Sequence, residues 1–345
     1  SGPLSITAAG DITQTGALTT AGAAGINAGS GNVVLANAGN DFQSSVTVNG
    51  AAISVRDAND LNVTATPALN SSLSLIAGGT LNLPAGNIDT GTADLTLSSG
   101  TGLVTAGTLA GTNLTLGGGT GGIALLNNVQ ARGSLTLQTS NAAIVQFGGI
   151  LDVAGSTGIT VGAAGISLAS AGNDFRGPVS VSNSGANAVT LIDANALPLG
   201  TLTLGSGPLT LTAAGDITQT GALTTAGAAG INAGTGNVVL ANAGNDFASV
   251  AVSGAAVSLS DSNALTLGAV TADSLAVTTA NGAVGQTAAA TVTGATTVNA
   301  GNATVTLDQA GNRFGRIGVT GGAVTLVNSA PLLLDATAAA SLNVT

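Results

Sequence analysis

The chain repeats itself at three lengths, and no other property constrains its fold as much. The longest repeat is nearly verbatim. Ser1–Phe42 realigns on Ser206–Phe247 with only the differences Ser5/Thr210, Ile6/Leu211 and Ser30/Thr235. After a one-residue slip the match continues more loosely, so that 1–63 pairs with 206–267 and marks duplication of a module about 205 residues long. A middle repeat is carried by the marker Ala-Gly-Asn-Asp-Phe. It places Asn40, Asp41 and Phe42, Asn173, Asp174 and Phe175, and Asn245, Asp246 and Phe247 in equivalent positions. A fourth copy keeps Asn312 and Phe314 and has Arg313 for the Asp. Each marker follows an apolar triplet such as Val33–Leu35 and precedes an alternating one such as Val46–Val48. A further block, Asp-x-Asn-x-Leu, recurs at Asp57–Leu61, Asp193–Leu197 and Asp261–Leu265.

The shortest repeat is the structural one. Alternating apolar pairs start at Ile53, Leu73, Leu95, Leu114 and Leu135, in steps of 20, 22, 19 and 21. A companion series runs through Leu61, Leu81, Leu103, Ile123 and Ile144 in steps of 20, 22, 20 and 21. Alternation over three to five residues, bounded by Gly, Asn, Asp, Ser and Thr, is the pattern of short strands; no segment offers a helical stripe. Two strand series in phase predict that each period is one coil and that each strand pairs with its equivalent one coil along. A single coil cannot bury its apolar side chains, whereas stacked coils share a continuous core. The sequence therefore predicts an all-β fold, a parallel β-helix (β-solenoid) running as one continuous domain over 1–345. It has about 21 residues per coil and roughly 16 coils, hence a length of roughly 75–80 Å at the usual strand spacing. A meandering antiparallel barrel would instead show hairpin spacing of about 8–12 residues without a doubled period.

Composition narrows the chemistry. There is no His, Cys, Met, Trp or Tyr, and neither Lys nor Glu occurs; the five basic residues are Arg56, Arg132, Arg176, Arg313 and Arg316, and the fifteen acidic ones are all Asp. General acid–base catalysis at neutral pH, nucleophilic triads, and zinc or copper sites draw on the missing types. The reading is of a non-enzyme, with no catalytic residue, cofactor or metal site expected. Calcium is the sharpest rival use for the recurrent Asp, but the Gly-Gly-x-Gly-x-Asp nonapeptide is absent, and Asp in these turn contexts bonds its own backbone. The marker Phe is expected to fill a corner of a narrow core rather than to serve as a sugar-stacking platform. Thr-rich strands such as Thr201–Leu204 read as ordinary outward-facing residues, in which Asn and Thr stacked in register can form side-chain ladders. A net charge of −10 disfavours nucleic acid and anionic membrane as partners, and no apolar run is long enough for a membrane helix. With neither an initiating Met nor a leader pattern, the chain reads as an excised mature segment.

Phrases such as Gly215-Asp-Ile-Thr-Gln-Thr-Gly-Ala-Leu223 and Asn237-Val-Val-Leu-Ala-Asn-Ala-Gly-Asn-Asp-Phe247 resemble the repeat regions of large bacterial exoproteins of the filamentous haemagglutinin type. The resemblance covers essentially the whole chain and lies in the style of the repeat. It implies a right-handed β-helix, export by a two-partner system, an extracellular or bacterial cell-surface location, and a role in adhesion, biofilm or cell contact. The leading expectation is a non-catalytic structural shaft of a secreted adhesin. Its partners would be neighbouring solenoid segments or other copies end to end, with host or bacterial surface glycans or proteins beyond them. The alternatives are a self-assembling extracellular fibre and, more remotely, a β-helical polysaccharide-cleaving enzyme, which would need clustered Asp.

Overall fold

The computed structural model describes residues 2–65 and 70–345. The described residues contain strands and turns and no helix, and the strands pair in parallel about 20 residues apart, as a β-solenoid. They form two compact units, Ser1–Gly177 and Pro178–Thr345.

In the first unit the predicted columns are hydrogen-bonded ladders. Ile53 pairs with Leu73, Leu73 with Leu95, Leu95 with Leu114, Leu114 with Leu135, and Leu135 with Thr157. The companion column joins Leu61 to Leu81, and Leu103 to Ile123, Ile144 and Ile166. A third column, absent from the sequence reading, runs Ile88, Leu109, Val129, Leu151. Its strands are two or three residues long, as in Val129–Ala131, too short for alternation to stand out. Each coil between Ile88 and Leu168 thus carries three strands, and the chain turns a corner between them.

The reason for strands here is the alternation itself. Leu73, Leu75 and Ala77 of Leu73–Ala77 are buried while Ser74 and Ile76 are only partly covered, and successive strand side chains point to opposite faces. Inward residues of successive coils then meet like residues above and below. The core is Leu, Val, Ile and Ala, with Phe42, Phe175, Phe247 and Phe314 its largest side chains, each no more than 1% exposed. Full burial of one such ring stabilises by about 1.5–3 kcal/mol.

The second unit follows the same rule. One of its columns joins Ile217, Val238, Val257, Leu275, Thr296, Ile317 and Leu334. Its strands are longer; Asp246–Asp261, Leu265–Thr279 and Arg313–Leu326 pass round corners, and the ladders shift register there, as between Val250 and Val252 and between Ala272 and Leu275. Coil length varies while the columns hold. Val46 pairs with Val63, 17 residues on, whereas Ala24 pairs with Val46, 22 residues on. Strands fix the core, and corners absorb the difference.

Candidate functional site

The marker is a constellation of polar side chains that recurs in four copies, and its geometry follows from where its Asn sits. Asn40, Asn173, Asn245 and Asn312 are each 0% exposed at a corner. A primary amide there has to satisfy two acceptor sites and two N–H groups without water. A Gln one coil earlier supplies the partner. Gln14 Nε2 donates to Asn40 Oδ1 at 2.8 Å, and Asn40 Nδ2 donates to Gln14 Oε1 at 2.9 Å. Asn40 Oδ1 also accepts the Leu18 N–H at 2.9 Å, and Asn40 Nδ2 donates to the Leu35 carbonyl at 2.9 Å. The same reciprocal pair and backbone contacts recur for Gln146 with Asn173, Gln219 with Asn245, and Gln286 with Asn312. The Asn clamps the end of its own strand to the start of a strand on the preceding coil.

The Phe behind it is held by the next polar block. The Phe42 N–H donates to Asp57 Oδ2 and the Phe247 N–H to Asp261 Oδ2, both at 2.8 Å. In the fourth copy Asn328 Oδ1 accepts the Phe314 N–H at the same distance. The other carboxylate oxygen closes a local turn, accepting Asn59 N–H on Asp57, Asn195 N–H on Asp193 and Asn263 N–H on Asp261. Burial pushes the Asp261 carboxyl above its ordinary value; the Phe247 and Asn263 N–H groups pull it down, and the nearby Asp246 charge adds to the rise. The rings stack on Thr20, Val153, Thr225 and Val292 of the previous coil.

The marker Asp residues point the other way. Asp41 accepts from Gln43 Nε2, Asp246 accepts from Asn263 Nδ2, and Asp174 pairs with Arg176 Nε at 3.0 Å. Structure therefore divides the marker: Asn and Phe are interior, Asp is surface. Arg176 also pairs with Asp152, and Arg316 with Asp335. Arg132 reaches two coils back to Asp89, and its guanidinium, with the Gly91 N–H, holds that carboxyl below its usual range. Outward polar residues also form short ladders, Asn27 with Asn49, Thr47 with Thr64 and Thr80 with Thr101.

Besides a polar groove of about 430 Å³ lined by Asp41, Asn59, Asp60 and Asn82, two further surface grooves lie on the first unit. One, of about 500 Å³, is lined by Arg56, Ser98, Gly117, Gln138, Ser140 and Thr160. It runs beside a corner where Gly78, Gly100 and Gly119 stack so closely that a Cβ on Gly100 would overlap the Gly78 carbonyl oxygen. The second, of about 420 Å³, lies beside Phe147. Among the described residues no group of three or more acidic side chains is placed to hold a metal ion. The recurrent Gln residues escaped the sequence reading, although a signal existed: each stands 26 or 27 residues before its marker Asn.

Stacked parallel coils with a repeated, internally satisfied corner define a β-solenoid repeat protein. The chain belongs to the family described as repeats of unknown function (DUF5649), which matches residues 1–49, 111–182, 186–253 and 254–320. Each matched segment contains one Gln–Asn pair and ends shortly after its marker Phe. No curated protein and no solved structure matches the chain.

Proposed function

We propose that this chain is a non-catalytic structural shaft of a secreted bacterial surface protein of the adhesin type, acting outside the cell in adhesion, biofilm or cell contact. One observation carries the structural part: the buried Asn and Asp that recur with the repeat bond the protein's own backbone and amide partners, and so hold the coils together. The residue inventory supports the reading, since the His, Lys, Glu, Cys and Tyr that most often act as acid or base, or activate a Ser or Thr, are missing. Export and adhesion come from the likeness of the repeat phrases to filamentous haemagglutinin-type exoproteins, and the net charge of −10 fits a surface that stays clear of anionic membrane. Neighbouring solenoid segments and surface glycans or proteins are the partners this role calls for.

The test is made in the bacterium that carries the gene. Antibody raised against the purified chain should label intact cells or the culture medium, and deletion of the gene should reduce adherence to surfaces or to other cells. Label confined to the cytoplasm of permeabilised cells, or a deletion strain that adheres like its parent, refutes the adhesin reading.

A further inference from the structure

The chain contains its own internal comparison, because the Gln–Asn corner is built four times. After the paired Gln, three copies continue with Thr: Thr15, Thr220 and Thr287. The copy at Gln146 has Phe147 instead, and that ring is 70% exposed while the other four Phe are 1% exposed or less. The outward residue before the Gln is Thr13, Thr218 or Gly285 elsewhere and Val145 here. This copy also has one extra residue in the turn: Asn173 is 27 residues from Gln146, where the other pairs are 26 apart. Gly149 takes φ +66° to accommodate it. Ile150, 38% exposed, then precedes the strand start where the other copies have Ala17, Ala222 and Ala289.

The coil beneath adds to the same spot. Leu125 pairs with Gln146, which sets Leu126, 40% exposed, beside Phe147, and the Phe147 N–H donates to the Leu125 carbonyl at 2.8 Å. Val104, Ala124 and Val145 form the outward column of the adjoining face, with Val104 53% exposed. None of these side chains is needed by the corner, since three sister corners close with Thr and Ala. Leaving a large ring in water gains nothing for folding, and an apolar cluster of this kind marks a binding surface.

The groove beside the ring selects the occupant. Its volume, about 420 Å³, falls in the range of small-ligand sites, which combine an apolar lining with a few polar groups. Here the floor is Val104, Ala124, Val145 and Phe147, and the hydroxyls are those of Thr80 and Thr101, 3.0 Å apart. No ionisable side chain lines it, so nothing rewards a charged ligand. The twelve lining residues fall well short of the roughly 20–30 a side of a stable protein interface. An aromatic face is electronegative at its centre and attracts polarised hydrogens. A pyranose ring presents such C–H bonds on one face and hydroxyls on its rim.

We propose that the Phe147 corner is a binding site for uncharged pyranose units of a glycan, one unit stacking on Phe147 and the glycan running over the Val104–Val145 column toward the Thr80 and Thr101 hydroxyls at the far end of the groove. The site rests on the adhesin reading and gives its glycan partner a place on the chain, while the shaft role would survive its loss.

The experiment is saturation-transfer NMR on the full chain with neutral hexasaccharides of glucose, mannose, galactose and N-acetylglucosamine, and hexagalacturonate as the charged comparison. Transfer to the C–H protons of at least one neutral sugar is expected, with hexagalacturonate silent. Phe147→Thr, which restores the residue of the sister corners, should keep the circular dichroism and melting of the parent. It should weaken sugar binding about tenfold or more, the scale of a lost ring contact plus its buried area. Silence from every neutral sugar at millimolar concentration overturns the proposal, as does binding undiminished in Phe147→Thr or stronger transfer to hexagalacturonate. Self-association of the sugar-free parent that disappears in Phe147→Thr would assign the corner to a second copy of the chain and overturn it likewise.

Discussion

If the reciprocal amide pair is the unit that holds a corner, its two members must be energetically coupled, and the structure gives the size. Asn245 makes four side-chain hydrogen bonds, two with Gln219 and one each with the Leu223 N–H and the Leu240 carbonyl. Gln219 also makes four, adding the Gly221 carbonyl and the Asn242 N–H to the same two. At about 1 kcal/mol net per bond, Asn245→Ala costs about 4 kcal/mol, and more if the buried Leu223 N–H and Leu240 carbonyl find no water. Gln219 is half-buried, so water recovers part of its loss and Gln219→Ala costs about 2–3 kcal/mol. The double variant loses the shared pair only once and should cost about 2 kcal/mol less than the sum. Repeat arrays can unfold piecemeal, so a global melt can blur the result. Hydrogen exchange of peptides spanning the Leu223 and Asn245 segments reads the local opening directly. Strict additivity of the two substitutions would refute the corner as a coupled unit.

Other consequences are quicker to check. Thr157 and Thr296 stand in apolar columns with buried hydroxyls that find no partner, so Thr157→Val and Thr296→Val should each stabilise by about 1–2 kcal/mol in denaturant titrations. Because the Asp261 carboxyl is raised in the folded state, its linked stabilisation is present below the ordinary carboxylate range and lost as pH rises through the folded value. Melting of the parent relative to Asp261→Asn should therefore decline across that window; a difference that stays constant or grows with pH contradicts the raised carboxyl. Gly100→Ala drives a methyl into the Gly78 carbonyl and should cost about 1–3 kcal/mol, with lost exchange protection centred on the coils at Gly78 and Gly100. Arg316→Ala removes an exposed ion pair with Asp335 and should leave the melting temperature unchanged at low and high salt alike.

The fold was legible because its information is periodic. Ile53, Leu73, Leu95, Leu114 and Leu135 announce a ladder by spacing alone, and the ladder forms in that register. The third strand per coil was not, because Ile88–Asp89 or Leu109–Gly111 offers one or two inward residues, too few to separate strand from turn. At the corner, Asn and Phe stood out by repetition. The Phe was expected in the core and lies there; the burial of the Asn was not legible, since Asn-Asp is compatible with an exposed turn as well as a buried clamp. The Gln partners were hidden by distance: a bond across 26 residues becomes visible only when coil length is known to that accuracy. Asn328 was missed in the fourth copy because an amide stands in for the carboxylate that defined the block. Phe147 drew no notice, since composition cannot tell one exposed ring from four buried ones.

The unequal pairing steps, 17 residues from Val46 to Val63 against 22 from Ala24 to Val46, carry an evolutionary meaning. A globular core punishes insertion because added chain displaces packed neighbours; here length can change at a bend while the columns on either side stay in register. The turn between Gln146 and Leu151 is one residue longer than in the sister copies, and Phe147 and Ile150 lie in it. Duplication makes new bends, and slippage then edits them one at a time, so a lineage can trial a novel surface at one corner while its sister copies keep the scaffold intact.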